Sequence, residues 1–223
     1  MLGWRLGISA VLVPCLLLLF WWDSTLGPGA PVLLVFCLLL SLRSTFEMSQ
    51  LLKTRAMKPC FEVTALCNVL IIFAAWARSQ MSIKAPPQQA LLISLGWIAA
   101  AVVGGFLLLM LFEAARFRKP GRSMESLGAN AVTMMYAGVL LAVIAQFRWF
   151  PDPDTAIGYF AIGSVIIAVK SGDIMAYTFG RLWGRRKMIP RLSPGKTWMG
   201  GIGALVGSAL GGWLWLTYGG QLF

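Results

Sequence analysis

The chain has 223 residues, of which 58% are hydrophobic and only 12% are charged. Soluble domains carry about twice that share of charged residues, so a soluble fold with Leu, Val, Ile and Trp facing water is disfavoured. The net charge of +11 would suggest nucleic acid in a soluble protein. Here the basic residues cluster between apolar runs, where they orient a membrane protein and meet anionic lipid headgroups, so no nucleic acid partner is expected.

No histidine occurs in the sequence, and its four cysteines show no CxxC spacing. The commonest general base and transition-metal ligand is therefore missing. We interpret the cysteines as small core residues, with neither a zinc site nor a disulfide framework.

The apolar runs, in chain order, predict seven membrane-spanning helices. They cover about residues 4–22, 30–42, 61–76, 90–112, 128–147, 157–184 and 197–217. The first could also be a signal peptide, but no small-residue cleavage site follows it. The second is short and can continue into the segment Arg43–Lys58, whose amphipathic pattern predicts a surface helix or a cytosolic helical hairpin. The expected fold class is all-α: a polytopic membrane helical bundle of about seven transmembrane helices plus an amphipathic surface helix.

We expect one integral-membrane domain over residues 1–223, with N-terminal spans in 1–150 and the polar motif in 157–217. Lys and Arg alternate between few and many in successive links, from none in the first link to six within residues 181–196. Because cytosolic loops carry the excess of basic residues, this alternation predicts a cytosolic N-terminus and a cytosolic 181–196 cluster.

Residues 170–200 carry the polar motif. Of the eight acidic residues, only Asp173 is predicted to lie well within an apolar helix. A carboxylate there costs several kcal/mol unless it is paired or binds a cation. On a helix, Tyr177 shares its face, and the basic cluster follows. This pattern favours a site for a polyphosphate and its metal; the alternative is a structural ion pair of Asp173 with Lys170 or Arg181.

The segment Ser193-Pro194-Gly195-Lys196-Thr197 forms a predicted turn directly before the last apolar run. Free backbone amides at the start of that helix, together with the charge of Lys196, favour phosphate. The segment is not a P-loop, because Pro190 stands where the first glycine is required and no strand is predicted before it.

Together these two segments resemble the phosphatidate cytidylyltransferase (CDP-diacylglycerol synthase) family. That family shows Asp-x-x-Ala-Tyr-x-x-Gly-Arg-x-x-Gly, a basic stretch, and then Ser-Pro-x-Lys-Thr-x-Glu-Gly. The matching residues are Asp173, Ala176, Tyr177, Gly180, Arg181 and Gly184, followed by Ser193, Pro194, Lys196, Thr197 and Gly200.

The resemblance implies a CTP-dependent nucleotidyltransferase of phospholipid biosynthesis: CTP and phosphatidate give CDP-diacylglycerol and pyrophosphate. It implies Mg²⁺ as cofactor, alone or with a second cation, held by Asp173, which acts with Lys196 in catalysis. The implied substrate-binding residues are Tyr177, Arg181, Arg186, Ser193 and Thr197. The expected partners are CTP, phosphatidate and anionic lipids, with a homodimer as one possible assembly. The expected location is the bacterial inner membrane, with the active-site loop in the cytosol.

Two departures from the family pattern define the alternative function. Met199 stands where the family has a glutamate, and the family's distal run with a histidine and paired aspartates is missing from these residues. The alternative is a truncated or non-catalytic paralogue that keeps the fold and binds anionic lipid or nucleotide. A transporter would show inverted repeats, and the sequence has none.

Overall fold

A computed structural model of the chain describes residues 2–54, 57, 59–81, 86–117, 123–150, 156–190 and 193–221. Within this part of the chain the α-helices are α1 (Leu2–Thr25), α2 (Pro31–Lys53), α3 (Phe61–Met81), α4 (Pro87–Ala115), α5 (Ser123–Met134), α6 (Leu140–Ala145), α7 (Ile157–Leu182) and α8 (Trp198–Tyr218). A π-helical turn, Met135–Val139, joins α5 to α6, and a 3-10 turn, Gln146–Trp149, follows α6. Two short strands, β1 (Lys187–Ile189) and β2 (Ser193–Thr197), lie between α7 and α8.

Each of the seven predicted runs is helical, which confirms the all-α membrane-type bundle. Among the described residues, five helical segments are long and apolar enough to cross a membrane: Pro31–Lys53, Gln89–Ala115, Ser123–Trp149, Ile157–Leu182 and Trp198–Tyr218. Two more apolar helices are shorter, Val11–Thr25 and Phe61–Ala77. The chain is therefore an integral membrane protein.

The prediction of a separate amphipathic surface helix over Arg43–Lys58 is wrong for the part of this segment that the structure describes. Up to Lys53 the segment continues α2 without a break, whereas Arg55 and Lys58 lie outside the described residues. The buried face of α2 recurs at every fourth residue through both segments: Leu33, Cys37, Ser41, Thr45 and Ser49. Because hydroxyl side chains occupy the second half of this face, it has a polar sequence although it is buried.

The chain forms two compact units, one of residues 26–154 and one of residues 1–25 with 155–223; the single domain expected over 1–223 stays a prediction. In the 26–154 unit, α2, α3 and α5 pack around buried polar side chains. Asn68 Nδ2 donates to Thr45 Oγ1 at 2.7 Å, and Thr64 Oγ1 donates to Asn130 Oδ1 at 3.0 Å. In a bilayer such interhelical bonds hold neighbouring helices together.

Replacing Gly138 by alanine should destabilise the 26–154 unit by about 1–3 kcal/mol. Gly138 lies in the π-helical turn, and a Cβ there would collide with Asn68 Oδ1 and lie 2.9 Å from Asn68 Cγ. Asn68 is fully buried and has little space to move. Gly128→Ala is the control, because nothing lies within 4 Å of its Cβ position. Thermal unfolding of the detergent-solubilised variants measures the difference, and equal melting temperatures would contradict this packing.

In the other unit, α7 and α8 pack closely because small residues line their contact. A Cβ on Gly203 would lie 2.6 Å from the Met175 carbonyl oxygen, and a Cβ on Gly207 would lie 2.6 Å from the Ser171 carbonyl oxygen. Only glycine allows the two backbones to approach to this extent. The face of α8 that carries Gly203 and Gly207 therefore packs against α7.

The far ends of these helices are anchored by aromatic and polar contacts. Trp215 Nε1 donates to the Phe160 carbonyl oxygen at 3.0 Å. The α1 residue Asp23 is fully buried and accepts a hydrogen bond from the Tyr159 hydroxyl on α7. Asp23 belongs to the last turn of α1, so its position does not contradict the prediction that Asp173 lies well within an apolar helix.

Candidate functional site

A cleft of about 750 Å³ opens within the unit that contains α7 and α8. Helix α7, the β1–β2 hairpin and the start of α8 supply its walls. Its lining residues are Asp173, Ala176, Tyr177, Gly180, Arg181, Met188, Gly195, Lys196, Thr197, Gly200, Gly201 and Ala204. Both motif segments singled out in the sequence therefore open into one cavity.

The α7 wall carries one acidic, one phenolic and one basic side chain, one helical turn apart. Asp173, Tyr177 and Arg181 follow at intervals of four residues, so they lie on one face. Arg181 Nη1 donates to the Tyr177 hydroxyl oxygen at 3.0 Å. This bond fixes the guanidinium at the side of the cleft, where it remains exposed and can contact an anion.

Asp173 differs from its sequence-based interpretation as a buried carboxylate, because the structure exposes it to the cleft. In the part of the chain that the structure describes, its carboxylate makes no hydrogen bond and no ion pair. A pairing with Lys170 or Arg181 therefore does not account for its position here. A carboxylate that is exposed to a cleft and makes no ion pair is available to a cation, which favours the cation-binding interpretation.

The α8 wall begins at a capped helix terminus. Thr197 is 5% exposed, and its Oγ1 accepts a hydrogen bond from the Gly200 backbone N–H at 3.1 Å. A Cβ on Gly180 would lie 3.2 Å from the same oxygen, so the glycine lets the cap approach α7. The cap leaves Lys196 exposed at the edge of the cleft, where its charge adds to the positive end of the helix dipole.

The basic stretch folds into an antiparallel hairpin that the sequence did not predict. Lys187 pairs with Thr197, and Ile189 pairs with Ser193. The hairpin places Met188 against the first turn of α8, since a Cβ on Gly201 would lie 2.7 Å from Met188 Cε. Met188 thus forms an apolar wall of the cleft. The sequence offered no signal for it, because three-residue strands carry too little periodicity to recognise.

Five of the seven predicted site residues line this cleft: Asp173, Tyr177, Arg181, Lys196 and Thr197. The other two, Arg186 and Ser193, are not among its described lining residues. Nor is Met199, which is half-buried in the first turn of α8. The roles predicted for the seven residues stay predictions, and the structure shows which of them come together.

Asp173 fits a Mg²⁺ ion that also binds a substrate. The described residues contain no group of three or more His, Cys, Asp or Glu side chains that could hold a metal by themselves. Mg²⁺ usually keeps several waters and binds one or two carboxylates together with substrate phosphates. One unpaired carboxylate in a cleft that Lys196 and Arg181 also line agrees with such a shared site.

Comparison with known proteins agrees with the two motif segments. The sequence profile of the Cytidylyltransferase family matches residues 4–222. A phosphatidate cytidylyltransferase of Brucella abortus is 37% identical over 87 residues, which cover 39% of this chain and 31% of that protein. Those of Haemophilus influenzae and Mycobacterium leprae are 34% and 45% identical over 95 and 79 residues. These cover 42% and 35% of this chain, and 32% and 24% of those proteins.

The alignments thus span about a third of the curated relatives or less, and no solved structure matches the chain. The family profile, in contrast, extends over almost every residue, from the first predicted span to the end of the last. The chain therefore belongs to the Cytidylyltransferase family.

Proposed function

We propose that this chain is a membrane-embedded nucleotidyltransferase that joins CTP and phosphatidate to give CDP-diacylglycerol and pyrophosphate. The observation that carries the proposal is the convergence of Asp173, Arg181 and Lys196 on one cleft. An unpaired carboxylate that shares a cleft with two cations suits a nucleoside triphosphate with its metal. The names of the relatives supply the substrate class.

The proposed step needs positioning and charge neutralisation rather than a general base. An ionised phosphate oxygen of phosphatidate attacks the α-phosphorus of CTP, the bond to the β-phosphate bridging oxygen breaks, and pyrophosphate leaves. Lys196 and Arg181 neutralise the triphosphate and the leaving pyrophosphate. Tyr177 holds the Arg181 guanidinium in place, and Thr197 holds the start of α8. The lack of histidine is therefore no obstacle.

We propose Mg²⁺ as the cofactor, with Asp173 as the protein residue that holds it. When bound, the ion would neutralise phosphate charge and orient the triphosphate. Asp173 is the only acidic residue among the described residues that line the cleft, so the other ligands would be phosphate oxygens and water.

The test of the proposed function labels the α-phosphate and the γ-phosphate of CTP in separate experiments. Purified protein in detergent with phosphatidate and Mg²⁺ should transfer label from [α-³²P]CTP into the lipid fraction, whereas label from [γ-³²P]CTP should appear in pyrophosphate. Lys196→Gln should lower both rates together. If the wild type binds CTP but releases neither labelled product, the non-catalytic paralogue is the better interpretation.

We further propose that the protein lies in the bacterial inner membrane with the β1–β2 hairpin in the cytosol. The alternation of basic residues between spans supports this orientation. A homodimer is proposed as well, and light scattering of the solubilised protein would test it.

The orientation predicts which exposed positions react from outside the cell. In a cysteine-free variant, Arg186→Cys in the hairpin should be protected from a membrane-impermeant maleimide in intact cells. Thr25→Cys at the end of α1 should be labelled, because both positions are exposed in the structure but belong to opposite predicted faces. Permeabilised cells provide the control for reactivity. Labelling of Arg186→Cys in intact cells would contradict the orientation.

A further inference from the structure

Three consecutive basic residues lie outside the cleft. Arg185 and Arg186 lie between α7 and β1, Lys187 is the first residue of β1, and all three are exposed. None is among the described residues that line the cleft, whereas Arg181 and Lys196 are. We name these three residues the basic rim. The cations of this region thus fall into two groups, one facing the cleft and one facing outward.

No described acidic side chain pairs with the basic rim. The nearest acidic residue before it in the sequence is Asp173, which lines the cleft. Among the described residues, the three rim side chains make neither an ion pair nor a hydrogen bond. Three adjacent uncompensated cations repel one another, so the arrangement favours an external anion.

The flanking residues place the basic rim at the level of lipid headgroups. The hairpin joins the end of α7 to the start of α8, and both helices are candidate membrane spans. Trp183 is 55% exposed, Trp198 57% and Ile189 47%. Exposed tryptophans next to the ends of spans are typical of the boundary between hydrocarbon and water. A basic cluster at this depth meets phosphate groups of the bilayer.

We propose that the basic rim binds the phosphate headgroups of acidic membrane lipids and thereby concentrates the acceptor lipid beside the cleft. Only the identity of the acceptor rests on the proposed function. Each Lys or Arg near an anionic bilayer strengthens attraction about fivefold. The two arginines also present planar donors that match phosphate oxygens in pairs. A nucleotide is not the occupant, because its proposed contacts, Arg181 and Lys196, lie inside the cleft.

The test compares lipid and nucleotide binding by the same full-length variants. Arg185→Gln/Lys187→Gln removes two rim charges and spares Arg186, which the family resemblance assigns to substrate binding. The matched control, Lys53→Gln/Arg116→Gln, removes one lysine and one arginine that are also exposed and belong to the other unit. Calorimetric titration of the detergent-solubilised proteins uses three ligands: dioctanoyl phosphatidate, dioctanoyl phosphatidylcholine and CTP with Mg²⁺.

The rim variant should bind phosphatidate at least fivefold more weakly than the wild type, while its affinity for CTP changes less than twofold. The control variant should match the wild type with both ligands, and phosphatidylcholine should not distinguish the three proteins. Unchanged phosphatidate affinity in the rim variant would overturn the proposal, as would an equal loss for CTP. If the wild type fails to bind CTP, the proposed function fails, yet the phosphatidate measurements still decide the role of the rim.

Discussion

Gly207→Ala in α8 should destabilise the unit of α7 and α8 by about 1–3 kcal/mol, because it overfills a closed contact. An added Cβ would lie 2.6 Å from Met175 Cβ and 2.6 Å from the Ser171 carbonyl oxygen. The carbonyl belongs to the α7 backbone and can yield only if the whole helix moves. For a chain of this size, each kcal/mol corresponds to about 2–4 °C in melting temperature.

Gly212→Ala in the same helix is the matched control. Nothing lies within 4 Å of its Cβ position, and both substitutions gain about 1 kcal/mol of helix propensity. The control should therefore melt at or above the wild-type temperature, while Gly207→Ala melts below it. Thermal unfolding of both solubilised variants provides the measurement. If the two variants melt together, α7 and α8 do not pack through this glycine.

The same contact positions the cleft. Gly207 fixes the distance between α7 and α8, and α8 begins directly after Lys196 and Thr197, which line the cleft together with Asp173. A displaced α8 should therefore also weaken CTP binding by Gly207→Ala, whereas Gly212→Ala should not. Packing along the helices and ligand binding at the ends that line the cleft are thus expected to be coupled.

Hydropathy and helical periodicity predicted most of the fold, and both failed where polar residues are buried in protein. The segment after Leu42 was predicted to be a surface helix because apolar residues such as Phe46 alternate with charged residues such as Glu47. The hydroxyl side chains of Thr45 and Ser49 lie between them in the sequence. In the structure these hydroxyls face inward, and Thr45 accepts a hydrogen bond from Asn68. A single sequence cannot distinguish a polar face that contacts water from one that contacts polar side chains of a neighbouring helix.

The sequence likewise predicted only part of the candidate site. The intervals between Asp173, Tyr177 and Arg181 follow from helix geometry, so their common face could be predicted. The positions of Arg186 and Ser193 depend on strand pairing within a short hairpin. Asp23 was missed because its environment depends on Tyr159, which lies 136 residues away in the sequence. Contacts between distant segments have no local pattern.

Asp173→Asn should abolish the stabilisation of the protein by Mg²⁺ and CTP while leaving the ligand-free protein nearly as stable as the wild type. Asparagine keeps the shape of the side chain and loses the charge that a hard cation requires. Because Asp173 is exposed to the cleft and has no ion pair within the described residues, its neutralisation leaves no buried cation behind.

Asp23→Asn serves as the control. It should lower the stability of the ligand-free protein and leave the ligand-dependent shift unchanged. Asp23 is fully buried and accepts a hydrogen bond from Tyr159, so weakening this bond should cost about 1–3 kcal/mol. The shift caused by ligand should nevertheless remain, since Asp23 is not among the described residues that line the cleft. Asp173→Asn thus tests the proposed metal site, whereas Asp23→Asn tests the stability of the fold.

The deciding measurement is the melting temperature of wild type, Asp173→Asn and Asp23→Asn, each with and without saturating Mg²⁺ and CTP. A ligand that binds only the folded state at a hundred times its dissociation constant adds about 2.7 kcal/mol. At about 2–4 °C per kcal/mol, this gives a clear shift for the wild type and for Asp23→Asn, and none for Asp173→Asn. If the wild type shows no shift while Asp173→Asn melts several degrees lower without ligand, Asp173 supports the fold and the proposed metal site is wrong.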